Sequence, residues 1–544
     1  MEEMKKERIL IYDTTLRDGS QAEGVNFSMS DKIKIAEKLD LLGVGYVEGG
    51  WPGSNPKDMA FFEAVRGRKF KNAKISAFGS TRRASCKVED DDNLRKLLES
   101  ETPAVTIFGK SWMLHVLEVL KVSANVNLAL VGDSCAYLKS HGREVIFDAE
   151  HFFDGYKDNP SFALDVIKTA CKNGAGTVVL CDTNGGMLTS EISKICSIVR
   201  KSLPSEVVLG IHCHDDSGMG VANSLISVES GAKHIQGTIN GFGERCGNAN
   251  LCSIIPALEL KMNFCAIAVG QLVNLREISL FVDELANLNP NKRHPYVGDS
   301  AFAHKGGMHV NAVSKNPATF EHMNPELVGN NRRILVSDLA GRSNVMMKIA
   351  EHHIEGASPE EIKEILDTLK EMENKGYEFE AADASFNLLA MKILKKHSPF
   401  FKLNGFRVII EKRSKNEPCI SEATVKLEVQ GRQELTAAEG DGPINALDLA
   451  LRKALLNFYP EIKDVRLNDF KVRILEGKAG TAAKTRVLIE SGDSKETWGT
   501  VGVSENIIEA SWEALVDSVE YILYRKNCKK IGRTPGKKLD KSKI

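Results

Sequence analysis

From Ile9 to about Met262, short β-branched runs alternate with amphipathic stretches of helical period, the pattern of parallel strands joined by helical crossovers. The runs predict strands at 8–13, 44–49, 73–78, 103–108, 143–148, 176–181, 207–212 and 233–239. Between them the apolar spacing predicts helices near 30–42, 57–69, 90–99, 111–140 (interrupted), 161–173, 188–201, 218–230 and 249–262, with Ser30 and Thr189-Ser190-Glu191 as N-caps. Eight such units in about 250 residues have the size of an α/β fold closed as a (β/α)8 TIM barrel. An open doubly wound sheet would show the same local alternation, so the polar residues at the strand ends must decide between them.

With the barrel assigned to 1–270, the segment 271–398 reads as helical linker subdomains. Loops at 286–345 are rich in Asn, Pro, His and Gly, and a capped helix opens on Ser358-Pro359-Glu360-Glu361. Strands return in FRVIIEK (406–412) and ATVKLEVQG (423–431), followed by the Gly-rich turn and helix GDGPINALDLALRKAL (440–455). The order recurs in TRVLIESG (485–492), ETWGTVGV (496–503) and the helix after it, so that Gly440 matches Gly502 and Ala446 falls near Ile508. Two βα-type repeats are therefore expected in a compact α+β domain at 399–526, with 527–544 as a basic flexible tail.

Lys and Arg (72) balance Asp and Glu (73) to a net charge of -1, which disfavours nucleic acid and anionic membranes as partners. No apolar run approaches the ~20 residues of a bilayer span, and the start MEEMKKERILIYD carries no expected signal peptide or anchor. Eleven cysteines without CxxC pairs read as reduced thiols of a cytoplasmic protein.

The polar residues gather at strand ends. Strand one runs into Asp13-Thr14-Thr15-Leu16-Arg17-Asp18-Gly19, and strand seven into His212-Cys213-His214-Asp215-Asp216. Strand side chains alternate, so His212 and His214 leave the same face, although such a pair can also be solvated or hydrogen-bonded without a metal. In a closed barrel Asp18, His212 and His214 converge, and the turn Asn240-Gly241-Phe242-Gly243-Glu244-Arg245-Cys246-Gly247-Asn248 adds a carbonyl from Asn248. This mixed O/N set suits Mn²⁺, Mg²⁺, Co²⁺ or Zn²⁺. The glycines of that turn could equally cradle a phosphate or make a tight turn. Arg17 could stabilise negative charge beside the metal, or form an ion pair with Glu48, Glu150 or Asp13. Glu48, Glu150 and Thr183 fall on the same predicted face, which argues for one polar pocket.

DTTLRDGSQ (13–21), HCHDD (212–216) and NGFGERCGN (240–248) resemble the acyl-CoA-condensing branch of the DRE-type TIM-barrel metalloenzymes. That family includes 2-isopropylmalate, homocitrate and citramalate synthases. YVEGGWPGSNPKD (46–58), AFGSTRR (77–83), DAEHFFDGYKDNP (148–160) and AFAHKGGMHVNAV (301–313) are most similar to its citramalate-forming members. The resemblance spans the barrel, the linker and the C-terminal repeat.

The resemblance implies metal ligands at Asp18, His212, His214 and Asn248, with Mn²⁺ or Mg²⁺ favoured, and Arg17 polarising a keto oxygen. It also implies Thr183 on the keto-acid carboxylate, Glu150 beside the metal, and His309 acting in the condensation from a subdomain of the neighbouring chain. His304 in the same segment is the less favoured actor. Asn311 stands where the family usually has Asp, and Phe320-Glu321 where Tyr-Glu is usual, so a carboxylate-assisted histidine or a tyrosine contact does not transfer. The C-terminal domain is similar to the family's amino-acid-binding regulatory domain at a homodimer interface, which implies feedback by isoleucine, with leucine as the alternative. A purely structural dimerisation role stays open.

The implied reaction condenses acetyl-CoA with pyruvate, on a threonine-independent route to isoleucine. Alternatives are the same chemistry on 2-oxoisovalerate or 2-oxoglutarate, a carbon-carbon lyase, or a catalytically idle amino-acid sensor. One or two methylenes of pocket separate the keto acids, worth only about 1–3 kcal/mol.

Overall fold

The computed structural model describes residues 6–337, 340–352, 354, 356–475 and 483–530. Eight parallel strands close into a barrel in sequence order: β1 (Leu10–Asp13), β2 (Tyr46–Gly50), β3 (Lys74–Ser80), β4 (Ala104–Lys110), β5 (Glu144–Glu150), β6 (Ala175–Asp182), β7 (Val208–Cys213) and β8 (His234–Gly237). Closure is direct, since Leu10–Asp13 of β1 pairs in register with His234–Gly237 of β8. The open-sheet alternative is thereby excluded.

The crossovers are α1 (Met29–Leu42), α2 (Pro56–Val65), α3 (Asp92–Glu99), α4 (Ala124–Ser140), α5 (Phe152–Asp158), α6 (Pro160–Lys172), α7 (Thr189–Ser202), α8 (Gly220–Glu229) and α9 (Leu251–Leu260). The interrupted helix expected at 111–140 resolves into a π-helical turn, His115–Leu120, and α4, with Lys121 in the left-handed conformation between them. Two caps differ from expectation. Ser28, not Ser30, caps α1, because its hydroxyl accepts from Asp31 N while the Asp31 carboxylate accepts from Ser28 N, leaving Ser30 in the first turn. Thr189 is already helical in α7, and the Glu191 carboxylate reaches back to accept from Leu188 N.

Inside the barrel the alternation of the strands stacks side chains in layers. Tyr46, Ala104, Ile146, Val179 and Cys181 pack with Tyr12 in an apolar cluster, while the larger core lies between sheet and helices. Above the cluster come polar groups: the Tyr12 hydroxyl donates to Glu48 and bonds Thr106, both at 2.7 Å.

The chain divides into two compact units, 1–302 with 323–331, and 303–322 with 332–544. The expected boundary at 270 falls inside the first, because α10 (Leu275–Leu285) packs on α1 and on the turn after β8. The second unit begins with β9 (Ala303–His304), paired to β10 (Arg333–Ile334), and α11 (Gly307–Lys315). Its helices α12 (Arg342–Glu351), α13 (Pro359–Asn374) and α14 (Asp383–Ile393) follow, and α13 carries the Ser358–Glu361 capping box.

The C-terminal repeat has two three-stranded antiparallel sheets, each followed by a helix. The first is β11 (Phe401–Glu411), β12 (Ile420–Val429) and β13 (Arg432–Gly440) with α15 (Pro443–Leu455); the second is β14 (Arg466–Ile474), β15 (Thr485–Gly492) and β16 (Thr497–Ser504) with α16 (Ile507–Lys530). The repeat is thus βββα rather than the expected βα type. The strands β13 and β14 escaped notice because neither buries a full apolar face. The helix α16 takes in 527–530 of the expected tail, and the rest of that tail lies outside the described residues. Among the described residues the cysteines are free, and no helix is long and apolar enough to cross a membrane.

Candidate metal centre at the barrel mouth

Barrel closure carries the ends of β1, β7 and β8 to one place, at the C-terminal face where (β/α)8 sites form. The loop after β8 is stitched to the end of β7 by Ala249 N to Cys213 O and Asp215 N to Gly247 O, both 2.9 Å, which sets Asn248 opposite His214. Its glycines let the loop fold on itself: a Cβ on Gly247 would stand 2.0 Å from Gly241 O, and one on Gly243 would strike the Asn248 amide. The tight-turn reading of Gly241-Phe242-Gly243 accounts for these contacts.

Asp18, His212 and His214 are buried, and each offers a ligand atom within 4.8 Å of the others. The Asn248 amide nitrogen donates to Phe242 O at 3.1 Å, while its buried oxygen has no partner, and neither does the buried Nδ1 of His214. Orphaned buried polar atoms are costly unless something meets them. One carboxylate, two imidazoles and an unsatisfied amide oxygen form a set that a divalent cation fits.

The electrostatics are consistent with such a set. Burial works against the charge of Asp18, but the Arg17 guanidinium and the His212 hydrogen bond together hold its carboxyl well below the usual range. Burial, aided by the charge of His212, pushes His214 down to about 4, so its imidazole is neutral, with one ring nitrogen protonated and the other keeping a lone pair.

Arg17 sits beside this set, its Nη1 3.5 Å from Asp18 Oδ1. Its Nε donates to the fully buried Glu48 at 2.6 Å, and its guanidinium carbon lies 3.7 Å over the Phe78 ring. Phe78 stacks on Phe108, and Trp51 meets both edge-on. Of the alternative partners for Arg17, Glu48 is found. Asp13 instead accepts from Thr15 N and Thr15 Oγ1, and Glu150 pairs with Lys110.

Thr183 follows β6, and its hydroxyl oxygen accepts from His151 N at 2.9 Å, leaving the hydroxyl proton free to donate. Arg245 clasps this loop, donating to Thr183 O and to both oxygens of Asp216. In the second unit His309 lies exposed on α11, its ring 4.2 Å from that of Phe320. His304 is buried there and meets Glu321 at 3.0 Å, while Arg332 holds the same carboxylate with two bonds.

Two residues at the centre escaped the sequence reading. Gln236 accepts from His212 Nδ1 at 2.7 Å and donates to Asp148 Oδ1 at 3.0 Å, inside the barrel. A polar residue at an inward position of the apolar run HIQG was the available signal.

The HMGL-like family model matches residues 8–281, the homocitrate synthase post-HMGL domain-like model 296–377, and the LeuA allosteric (dimerisation) domain 380–523. An (R)-citramalate synthase of Geobacter sulfurreducens is 57% identical over 518 residues, covering 95% of this chain and 98% of that protein. One of Aquifex aeolicus is 56% identical over 521 residues, with the same coverage of each. A probable 2-isopropylmalate synthase of Methanopyrus kandleri is 31% identical over 524 residues, covering 96% of this chain and 99% of that protein.

Proposed function

The chain belongs to the HMGL-like family and, within it, to the (R)-citramalate synthases; from that premise we propose that it condenses acetyl-CoA with pyruvate to give (R)-citramalate and free CoA. The acetyl group becomes an alkyl (carboxymethyl) group on the keto carbon while the CoA thiol leaves, so the enzyme is an acyltransferase of the condensing type. The observation that carries this reading is the convergence of Asp18, His212 and His214 beside Arg17, with the unsatisfied oxygen of Asn248 next to them.

Asp18, His212, His214 and the Asn248 side-chain oxygen would hold a divalent cation, Mn²⁺ or Mg²⁺ first and Zn²⁺ or Co²⁺ as alternatives, which supplies Lewis-acid polarisation of a keto group when bound. Arg17, fixed between Glu48 and Phe78, offers its guanidinium to the keto oxygen as negative charge develops there. The Thr183 hydroxyl donates to the pyruvate carboxylate. The aromatic wall of Phe78, Phe108 and Trp51 beside Arg17 favours an apolar substituent over an acidic one.

Proton removal from the acetyl methyl group falls to His309 of the neighbouring chain, as the family resemblance assigns and as its exposed ring permits. The resulting carbon bonds to the keto carbon, whose oxygen takes up a proton. Water then cleaves the thioester to release a carboxylate and the CoA thiol. Glu150, paired with Lys110, is assigned to ordering charge at the rim. The C-terminal repeat is assigned to homodimerisation and to binding isoleucine as feedback inhibitor, in a cytoplasmic enzyme of isoleucine synthesis.

The test is chemical. Metal-free protein resupplied with Mn²⁺ should release thiol from acetyl-CoA only when pyruvate is present, in step with a product that matches (R)-citramalate on a chiral column. Release independent of pyruvate, or the S product, would contradict the proposal.

A further inference from the structure

His212 and Gln236 hold paired positions on β7 and β8, so both side chains leave the sheet on its inner side. His212 Nδ1 lies 2.7 Å from Gln236 Oε1. An amide oxygen only accepts, so this bond requires the imidazole proton on Nδ1. The amide is itself oriented, because its Nε2 donates to Asp148 Oδ1 at 3.0 Å on β5, across the barrel. A carboxylate accepts and an amide nitrogen donates, so Asp148 decides which end of Gln236 faces His212.

The consequence reaches the metal centre. With one proton fixed on Nδ1, the proton that His212 gives up is the one on Nε2, the nitrogen 3.2 Å from Asp18 Oδ2, and its loss turns that nitrogen's lone pair toward the candidate cation site. All three residues of the chain are at most 5% exposed, so no solvent competes for these bonds. Filling the barrel is a role any apolar side chain of similar volume could take without the cost of burying an amide. Here both ends of the amide are used, one of them on a ligand residue.

We propose that Asp148 and Gln236 form a positioning relay that locks the tautomer and ring plane of His212, so that Nε2 is presented to the cation. Neither residue touches cation or substrate. The inference rests on the metal-centre reading of Asp18, His212 and His214, and its test needs no substrate.

Mn²⁺ binding to the metal-free full-length protein is measured by electron paramagnetic resonance of free Mn²⁺ at about pH 8, alongside thermal melting. At that pH Asp148, which burial pushes up to about 7, carries its charge. Gln236→Leu should weaken Mn²⁺ binding by about 10–100-fold in a folded protein. Gln236→Glu sets two carboxylates against each other and should also bind weakly. The double variant Gln236→Glu with Asp148→Asn rebuilds an acceptor for His212 and a donor behind it, and should recover affinity to within a few-fold of wild type. Wild-type affinity in folded Gln236→Leu, or a double variant no tighter than Gln236→Glu, would overturn the relay while leaving the metal centre standing. A wild-type chain that binds no Mn²⁺ would overturn both.

Discussion

His212 Nε2 lies 3.2 Å from Asp18 Oδ2, two candidate ligand atoms from the end of β7 and the turn after β1, strands that flank β8 on its two sides only because the barrel closes. His214, whose buried Nδ1 has no partner among the described residues, offers a ligand atom within 4.8 Å of both. In His214→Ala the bound metal should fall well below one equivalent by elemental analysis. The loss of affinity should exceed the ~10–100-fold typical of an outer-sphere change. Full stoichiometric metal in that variant would remove His214 from the coordination set.

Arg17 serves charge and structure together, and two substitutions separate these. Arg17→Lys keeps a cation near Glu48 but loses the planar fork, so kcat should fall about 10²–10³-fold with a small change in melting temperature. Arg17→Ala also leaves the fully buried Glu48 without its cation, which should cost about 3–5 kcal/mol in denaturant unfolding.

His309 is exposed and packs against the Phe320 ring, so its removal should leave the fold intact. His309→Ala should lower kcat by about 10²–10⁴-fold while the KM for pyruvate moves little. Steady-state kinetics with full turnover would exclude it as the base.

The Glu321 carboxylate, buried between Arg332 and His304, has a testable pH signature. Burial opposes its charge, but the bonds from Arg332 and His304 hold its carboxyl below the ordinary 4.5. A depressed folded-state value stabilises the protein above the unfolded value, and that stability is lost as pH falls through the folded one. The stability difference between wild type and Glu321→Gln, from denaturant titrations, should therefore be flat above about pH 4.5 and shrink below it.

Much of the site was legible because it depends on strand parity and strand order. The spacing of His212 and His214 specifies a shared face in any strand, and Asp18 joins them once eight units imply closure. What was not legible depends on contacts across the sheet. The bond from Gln236 to Asp148 joins β8 to β5 through the barrel interior, a distance in sequence that no local pattern encodes. Ser28 and Ser30 are both good caps by type, and only the reciprocal bond with Asp31 distinguishes them. The strands β13 and β14 lack a fully buried face, so their period was faint.

The most direct test of the account is the specificity of thiol release. With Mn²⁺ supplied, acetyl-CoA held constant, and pyruvate, 2-oxoisovalerate and 2-oxoglutarate offered separately, kcat/KM should be highest for pyruvate by at least the ~10–200-fold that a methylene or two can confer. Faster turnover of either larger keto acid would contradict the assignment.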